Sequence, residues 1–424
     1  MQSASGSLLG AMTSGAVNVR TLLAVGVVVG ASRLVGWAIS KVGQPRVHGE
    51  IIAGILLGPS LLGLVWPQAL AYLFPTEVVG GLKVLAQLGL VLFMFMVGLD
   101  LDVGSLRGQG HKAVLISHAS IILPCILGAG LGLWLHSRLG GGADRLGFCL
   151  FLGAAMSITA FPVLARVLQE TGLTGTRIGV LVITCAAIDD VTAWCLLAGV
   201  VAIVQANGWG DVLRTVGLAA VYVLAMVKVV RPLAARIDRW PVWAAVVLVV
   251  LSAWTTEQIG VHAIFGGFLA GAVMPRRPDI RREVHDRLEA GVTDLLLPVF
   301  FVVVGLATRI DLLGSLYLWG ITAIVVITAI AGKLGGSMAA ARVTGETWQD
   351  AAAIGVLMNT RGLTEIVILT VGLELGVITP TLFTIMVIMA LVTTLMATPM
   401  LALFAPDHHR RATAKTTVGA ASVD

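Results

Sequence analysis

Long apolar runs separated by short polar turns repeat along the whole chain. They predict thirteen spans, near residues 18–42, 47–65, 79–100, 111–136, 146–170, 176–204, 211–229, 241–257, 260–274, 292–308, 315–340, 349–375 and 379–404. A helix rises about 1.5 Å per residue, so about 20 apolar residues cross the hydrocarbon core of a bilayer. The pattern predicts an all-α polytopic membrane protein with about thirteen transmembrane helices. Residues 1–17 lack the basic n-region and compact apolar core of a signal peptide and are expected to be a flexible tail. Residues 18–404 are expected to form the transmembrane domain, and the polar stretch 405–424 a cytoplasmic tail.

Two spans are interrupted at mid-depth. The fifth reads Ala154-Ala-Met-Ser157-Ile-Thr159-Ala-Phe161-Pro162-Val, and the twelfth Gly355-Val-Leu-Met-Asn359-Thr360-Arg361-Gly362-Leu-Thr364-Glu365. Proline removes a backbone donor and clashes with the preceding turn, while glycine relaxes the limits on φ. Non-helical backbone at that depth persists only when buried in protein or lining a cavity. A five-span repeat, spans 2–6 against spans 9–13, puts both breaks at its fourth span. Breaks in matching positions point to inverted repeats and to a transporter. Between spans 9 and 10, Ile280, Val284 and Leu288 recur every four residues within a charged stretch, as in a surface helix with an apolar stripe.

Composition agrees with the membrane reading. Of the 424 residues, 57% are hydrophobic and 12% charged, whereas a soluble domain carries roughly 25% charged residues. Mean hydropathy is +0.96. With the N-terminus outside, 19 basic residues fall in inside turns and only 5 outside, which predicts a cytoplasmic C-terminus. The net charge of +5 is thereby spent on orientation, and nucleic acid is not expected as a partner. The expected location is a cell membrane, the inner or plasma membrane of a bacterium. The four cysteines stand singly within spans and read as small packing residues.

Against this background a few ionisable residues stand out. Asp189 and Asp190 are adjacent in the middle of the sixth span, and Lys333 and Arg361 lie inside the eleventh and twelfth. Arg33 and Lys83 also fall within spans and are expected to reach an interface with their long stems. One Asp at the centre of a membrane helix costs about 2.5–3.5 kcal/mol on insertion scales, so such groups are read first as parts of an ion or proton path.

On a helix, consecutive residues point about 100° apart, so the two carboxylates face different surroundings. Like charge and poor solvation both favour the neutral acid on at least one of them. Such a carboxyl holds a proton or a small cation but not both, which is enough to couple the two flows in opposite directions. Lys333, within Gly332-Lys-Leu-Gly335-Gly336, is the best mid-membrane counter-charge, with snorkelling as its plainer alternative. Ser157, Thr159 and Asn359 supply hard oxygens for an alkali cation, or simply satisfy backbone freed by the breaks. Arg361 and Glu365, one turn apart, compensate half-helix dipoles or form only an internal ion pair. Glu50 lies near the start of span 2, where an acid favours the helix dipole; Glu257 is expected to face water at the turn between spans 8 and 9, and His118 and His262 read as packing histidines.

Several stretches then resemble one family. Gln44 to Ser60, Ser157 to Arg166, Ala187 to Trp194, Ile259 to Gly271, Leu297 to Phe301 with Val304-Gly-Leu306, and Asn359 to Glu365 are similar, in order, to signatures of monovalent cation:proton antiporters of the Kef and plant CHX type. The resemblance covers roughly residues 30–404, the membrane domain only. It implies a sodium/proton antiporter-like fold with inverted repeats and two discontinuous crossed helices. It also implies a homodimer, in which dimerisation and ion-transporting core subdomains interleave along the chain. The core would move like an elevator to expose its site to alternate sides. By resemblance Asp190 is the carboxylate that takes Na⁺ or K⁺ or a proton, Asp189 is the partner of Lys333, and Thr159 sits at the first unwound crossing. Many electroneutral relatives carry Asn where this chain has Asp189, so the Asp pair implies an electrogenic cycle. Plant relatives usually carry Lys where Arg361 stands.

The expected partners are monovalent cations, protons and the lipid bilayer. No cofactor is expected beyond the transported ions, and without a nucleophile, metal-ligand set or phosphate loop the chain does not read as an enzyme. A Na⁺-coupled organic-anion symporter of the bile-acid type shares broken crossed helices and is the alternative within transport. A non-transporting membrane sensor of ions or pH is the alternative from another class, against which the short loops argue.

Overall fold

A computed structural model describes residues 2–41, 46–100, 110–171, 173, 176–205, 209–237, 240–275 and 277–404. The expected tail 405–424 lies outside the described residues, as do Arg107, Arg239 and Arg276 of the charge count. The described residues form helices and turns: α1 (Gln2–Ser40), α2 (Arg46–Leu57), α3 (Leu62–Val65), α4 (Pro67–Leu73), α5 (Thr76–Asp100), α6 (Gly110–Leu139), α7 (Arg145–Ser157), α8 (Phe161–Glu170), α9 (Arg177–Gln205) and α10 (Trp209–Ala225). Then follow α11 (Arg231–Ala235), α12 (Val242–Ile259), α13 (Ala263–Val273), α14 (Pro278–Gly291), α15 (Leu297–Ala307), α16 (Leu316–Val343), α17 (Trp348–Met358), α18 (Leu363–Glu374), α19 (Pro380–Leu395) and α20 (Ala397–Phe404).

Among the described residues, 8 helical stretches are long and apolar enough to cross a membrane, and 4 shorter apolar helices accompany them. Residues such as Leu213, Val221, Trp243, Val250 and Trp254 are exposed, a surface that suits lipid rather than water. Cations stacked on aromatic rings mark helix ends: Lys41 on Trp37, Arg138 on Trp134 and Arg342 on Trp348. Such amphipathic pairs favour the headgroup level.

The chain divides into two compact units. The first comprises Met1–Asp100 and Leu218–Leu312. Within it α5 packs on α13 and α15, and α2 on α1 and α15. Glycine permits the closest of these approaches. A Cβ on Gly98 would stand 2.1 Å from the Phe268 carbonyl oxygen, and one on Gly271 2.1 Å from that of Phe95. The turn between α12 and α13 is made by Gly260 at φ 91°. Glu257 accepts a hydrogen bond from the Ala263 backbone at 2.8 Å, and the His262 ring from that of Ile264 at 3.4 Å, so both groups cap the start of α13. Arg33 pairs with Asp294, and both side chains are about half exposed. The charged stretch before α15 is a helix with the expected apolar stripe, its charged side chains largely exposed. It runs through a π turn into α15, and Ile280, Val284 and Leu288 are buried.

The second unit comprises Leu101–Gly217 and Leu313–Asp424. Here α6 packs on α7, α9 and α16, while α16 also packs on α17 and α19. Its apolar core runs from Ile116 through Val163, Leu181 and Ala186 to Leu357 and Leu401. At one end, beyond the spans, Glu346 accepts from Arg177 through both oxygens, at 3.1 and 2.5 Å, and from Lys112 at 3.0 Å. The Arg177 hydrogen bond, aided by Lys112, holds the Glu346 carboxyl below the usual carboxylate range. The ionised group stabilises the fold above its unfolded-state pKa, and that contribution is lost as pH falls through the depressed folded value. The melting temperature is therefore expected to fall less steeply on acidification for Glu346→Gln than for the wild type. Equal slopes in a pH series of thermal melts would contradict this.

Candidate functional site

The second unit carries both breaks. Helix α7 stops at Ser157, residues 158–160 are non-helical, and α8 resumes at Phe161; α17 stops at Met358 and α18 resumes at Leu363. The breaks meet, since the Ala160 amide donates to the Thr360 carbonyl at 3.2 Å. Gly362 permits the approach, because a Cβ there would lie 2.7 Å from Val163 Cγ2.

A helix that ends inside protein leaves its last carbonyls without helical donors, and its C-terminus carries partial negative charge. Cations meet that need here. Arg361 donates to the carbonyls of Ala155 at 3.5 Å and Met156 at 2.7 Å, and Lys333 to that of Ser157 at 2.5 Å. Arg361 also pairs with Glu365 at 3.0 Å, in the first turn of α18, where an acid suits the dipole. Thr394 of α19 lies 2.7 Å from the Arg361 carbonyl and accepts from its amide at 3.1 Å.

Beside the crossing, α9 presents Asp189 and Asp190, both buried. Four side chains donate to Asp189. Ser117 reaches Oδ1 at 2.5 Å, while Oδ2 takes Ser120 at 2.7 Å, Thr159 at 2.8 Å and Lys333 at 3.1 Å. An ionised carboxylate offers about four acceptor positions, so Asp189 is saturated as an anion. Asp190 differs. Its Oδ1 is buried without a hydrogen-bond partner among the described residues, in a chain where most buried polar atoms are matched. Asn359 Oδ1 and Glu365 Oε2 share that condition.

Lys333 is fully buried in the middle of α16. Besides Asp189 it donates to the Ser120 carbonyl at 3.0 Å. That carbonyl is free because Pro124, four residues on in α6, has no N–H to give it.

The structure thus gathers Thr159, Asp189 and Lys333 into direct contact, with Arg361 and Glu365 bracing the crossing. The Ser157 hydroxyl turns back to the Ala154 carbonyl at 2.8 Å, so only its backbone oxygen takes part. Ser117, Ser120 and Thr394 are absent from the sequence reading. The signal for the serines is slight, a pair of hydroxyls three residues apart and hence on one face of an apolar span.

Comparison with known proteins gives a consistent picture. The family model for the transmembrane sodium/hydrogen exchanger matches residues 29–405. The Na⁺/H⁺ antiporter NhaS4 of Synechocystis sp. is 43% identical over 386 residues, covering 88% of this chain and 94% of that protein. Cation/H⁺ antiporter 19 of Arabidopsis thaliana is 36% identical over 92% of this chain, and K⁺/H⁺ antiporter 1 of Saccharomyces cerevisiae 33% over 88%. The chain spans 51% and 45% of the lengths of those two proteins. Among solved structures, the sodium proton antiporter MjNhaP1 from Methanocaldococcus jannaschii superposes with a TM-score of 0.67, covering 93% of this chain and 98% of that one. At 15% identity it shows the fold alone.

Proposed function

The chain belongs to the sodium/hydrogen exchanger family, and from that premise we propose how it works as a Na⁺/H⁺ or K⁺/H⁺ antiporter. Asp190 is the carboxylate for which cation and proton compete. The observation that carries this is the contrast between neighbours: Asp189 has four donors, whereas Asp190 keeps a buried oxygen with none among the described residues. An anionic oxygen without donors is costly in the interior until a proton or a cation joins it. The site takes one or the other, and each exposure to a new side allows the occupant to change. The relatives are named as antiporters, and neither the symporter nor the sensor reading draws support from them.

When the cation arrives, the contact between Asp189 and Lys333 opens and Lys333 gives up its proton. The Ser157 carbonyl and the Thr159 hydroxyl are then released to join Asp190 as hard oxygen ligands. One proton from Asp190 and one from Lys333 leave for each cation that enters, so the cycle moves net charge. Arg361, Glu365 and Asn359 hold the broken helices and do not carry the ion. The second compact unit is the ion-transporting core and the first the dimerisation subdomain of a homodimer. The division rests on where the buried charges fall, since Asp189, Asp190, Lys333, Arg361 and Glu365 all lie in the second. The chain resides in a cell membrane with its N-terminus outside and C-terminus in the cytoplasm, as the loop charges direct.

Proton flux in sealed vesicles, with Na⁺, K⁺ and Li⁺ added in turn, tests the cycle. Cation addition is expected to drive proton movement, and an imposed membrane potential to change its rate. A rate indifferent to potential would contradict the two-proton cycle and leave electroneutral exchange in its place.

A further inference from the structure

Helix α6 holds groups for which the exchange cycle has so far needed no use. Ser117 and Ser120 are fully buried and lie three residues apart, so their hydroxyls share one face. Both donate to Asp189, at 2.5 and 2.7 Å. The Ser120 carbonyl, left without a helical donor by Pro124, accepts from Lys333 at 3.0 Å. One turn of one helix therefore touches both members of the buried ion pair.

Resting on the exchange cycle above, we propose that Ser117 and Ser120 are positioning residues, which seat the Asp189 carboxylate while its contact with Lys333 is open. A bare ion pair in this interior would resist opening, because each charge would lose its only partner. This pair is not bare. With Lys333 withdrawn and Thr159 released to the cation, Asp189 keeps two hydroxyl donors, from Ser117 and Ser120. Lys333 in turn keeps the Ser120 carbonyl as an acceptor. The serines matter more in the open state than in the closed one, where the lysine already satisfies the anion. A ligand that selects the open state feels that difference directly as affinity. The serines thus act on cation binding through Asp189, without touching the cation.

The test is the Michaelis constant for Na⁺ and for K⁺ in vesicles at fixed pH and clamped potential. Hydrogen bonds to charged groups are strong enough that Ser117→Ala and Ser120→Ala are each expected to raise that constant about tenfold, with the maximal rate within about threefold of wild type. Ser117→Thr and Ser120→Thr keep the hydroxyl and are expected to restore the wild-type constant. If an alanine variant does not fold, cysteine at the same position, close in shape but a weak donor, takes its place. In an Asp189→Asn background the serine changes are expected to have no effect on the constant.

A wild-type constant in Ser117→Ala/Ser120→Ala, with Asp190→Ala inactive, would overturn the seat and leave the exchange reading intact. Threonine behaving like alanine would overturn it too, since packing and not the hydroxyl would then be at work. Full exchange by Asp190→Ala would instead overturn the reading on which the seat rests.

Discussion

Asp190→Ala is expected to abolish cation-driven proton movement in vesicles while leaving the fold as stable as before. The two halves of that result come from one observation. Asp190 is buried, yet its Oδ1 has no partner among the described residues. Deleting a carboxylate that is saturated by donors leaves those donors orphaned, but deleting this oxygen orphans nothing. Removal also relieves the desolvation cost of the charged form, so stability in detergent is expected to stay within about 1 kcal/mol of wild type or to rise. Flux, by contrast, loses the group that either ion must occupy. An inactive variant that also melts well below the wild type would show that Asp190 is a structural residue, and an active one that it is not the ion site.

Lys333→Ala is expected to show the opposite balance, a heavy loss of stability. Lys333 and Asp189 are both fully buried and 3.1 Å apart. Breaking a buried pair from one side costs about 3–5 kcal/mol, because the other charge remains in place without its counter-ion. The Ser120 and Ser157 carbonyls lose their shared donor in the same step. Neutralising the survivor is expected to recover part of the loss, so Asp189→Asn/Lys333→Ala melts above Lys333→Ala. The check is a pair of thermal unfolding curves in one detergent. A double variant no more stable than the single one would mean that Lys333 is needed for packing and not for charge.

Much of the fold is legible in the pattern of apolar runs, because a bilayer dictates helix length and forbids loose backbone. The short runs at 241–257 and 260–274 are parted by a glycine that adopts φ 91°, and they fold as α12 and α13. Breaks at 158–160 and 359–362 show through as polar residues and glycine at a depth where helices need neither. The run at 275–313 is harder. The spacing of Ile280, Val284 and Leu288 shows the helix, but nothing in the cluster of Arg, Asp and Glu shows that it continues through a π turn into α15.

At the site, charge at depth singles out Asp189, Asp190 and Lys333, since each is too costly to be incidental. What the sequence cannot convey is who satisfies whom. Ser117 and Ser120 look like small packing residues until α6 brings them against a carboxylate some 70 positions away. Pro124 looks like an ordinary kink, and only the position of Lys333 shows which carbonyl it frees. The distinction between the two aspartates, one saturated and the other with an Oδ1 that lacks a partner among the described residues, is likewise a property of the fold, as the residues are chemically identical and adjacent.

In the proposed cycle one buried carboxyl, that of Asp190, takes a cation or a proton but never both. The most direct measurement is the Michaelis constant for the cation in wild-type vesicles as external pH is lowered at zero potential. Competition at Asp190, coupled to proton loss from Lys333, predicts that the constant rises with acidification towards a limit of about a hundredfold for each pH unit while the maximal rate at saturating cation is unchanged. A constant that stays flat with pH while the maximal rate falls would mean that protons act elsewhere, and would contradict the account.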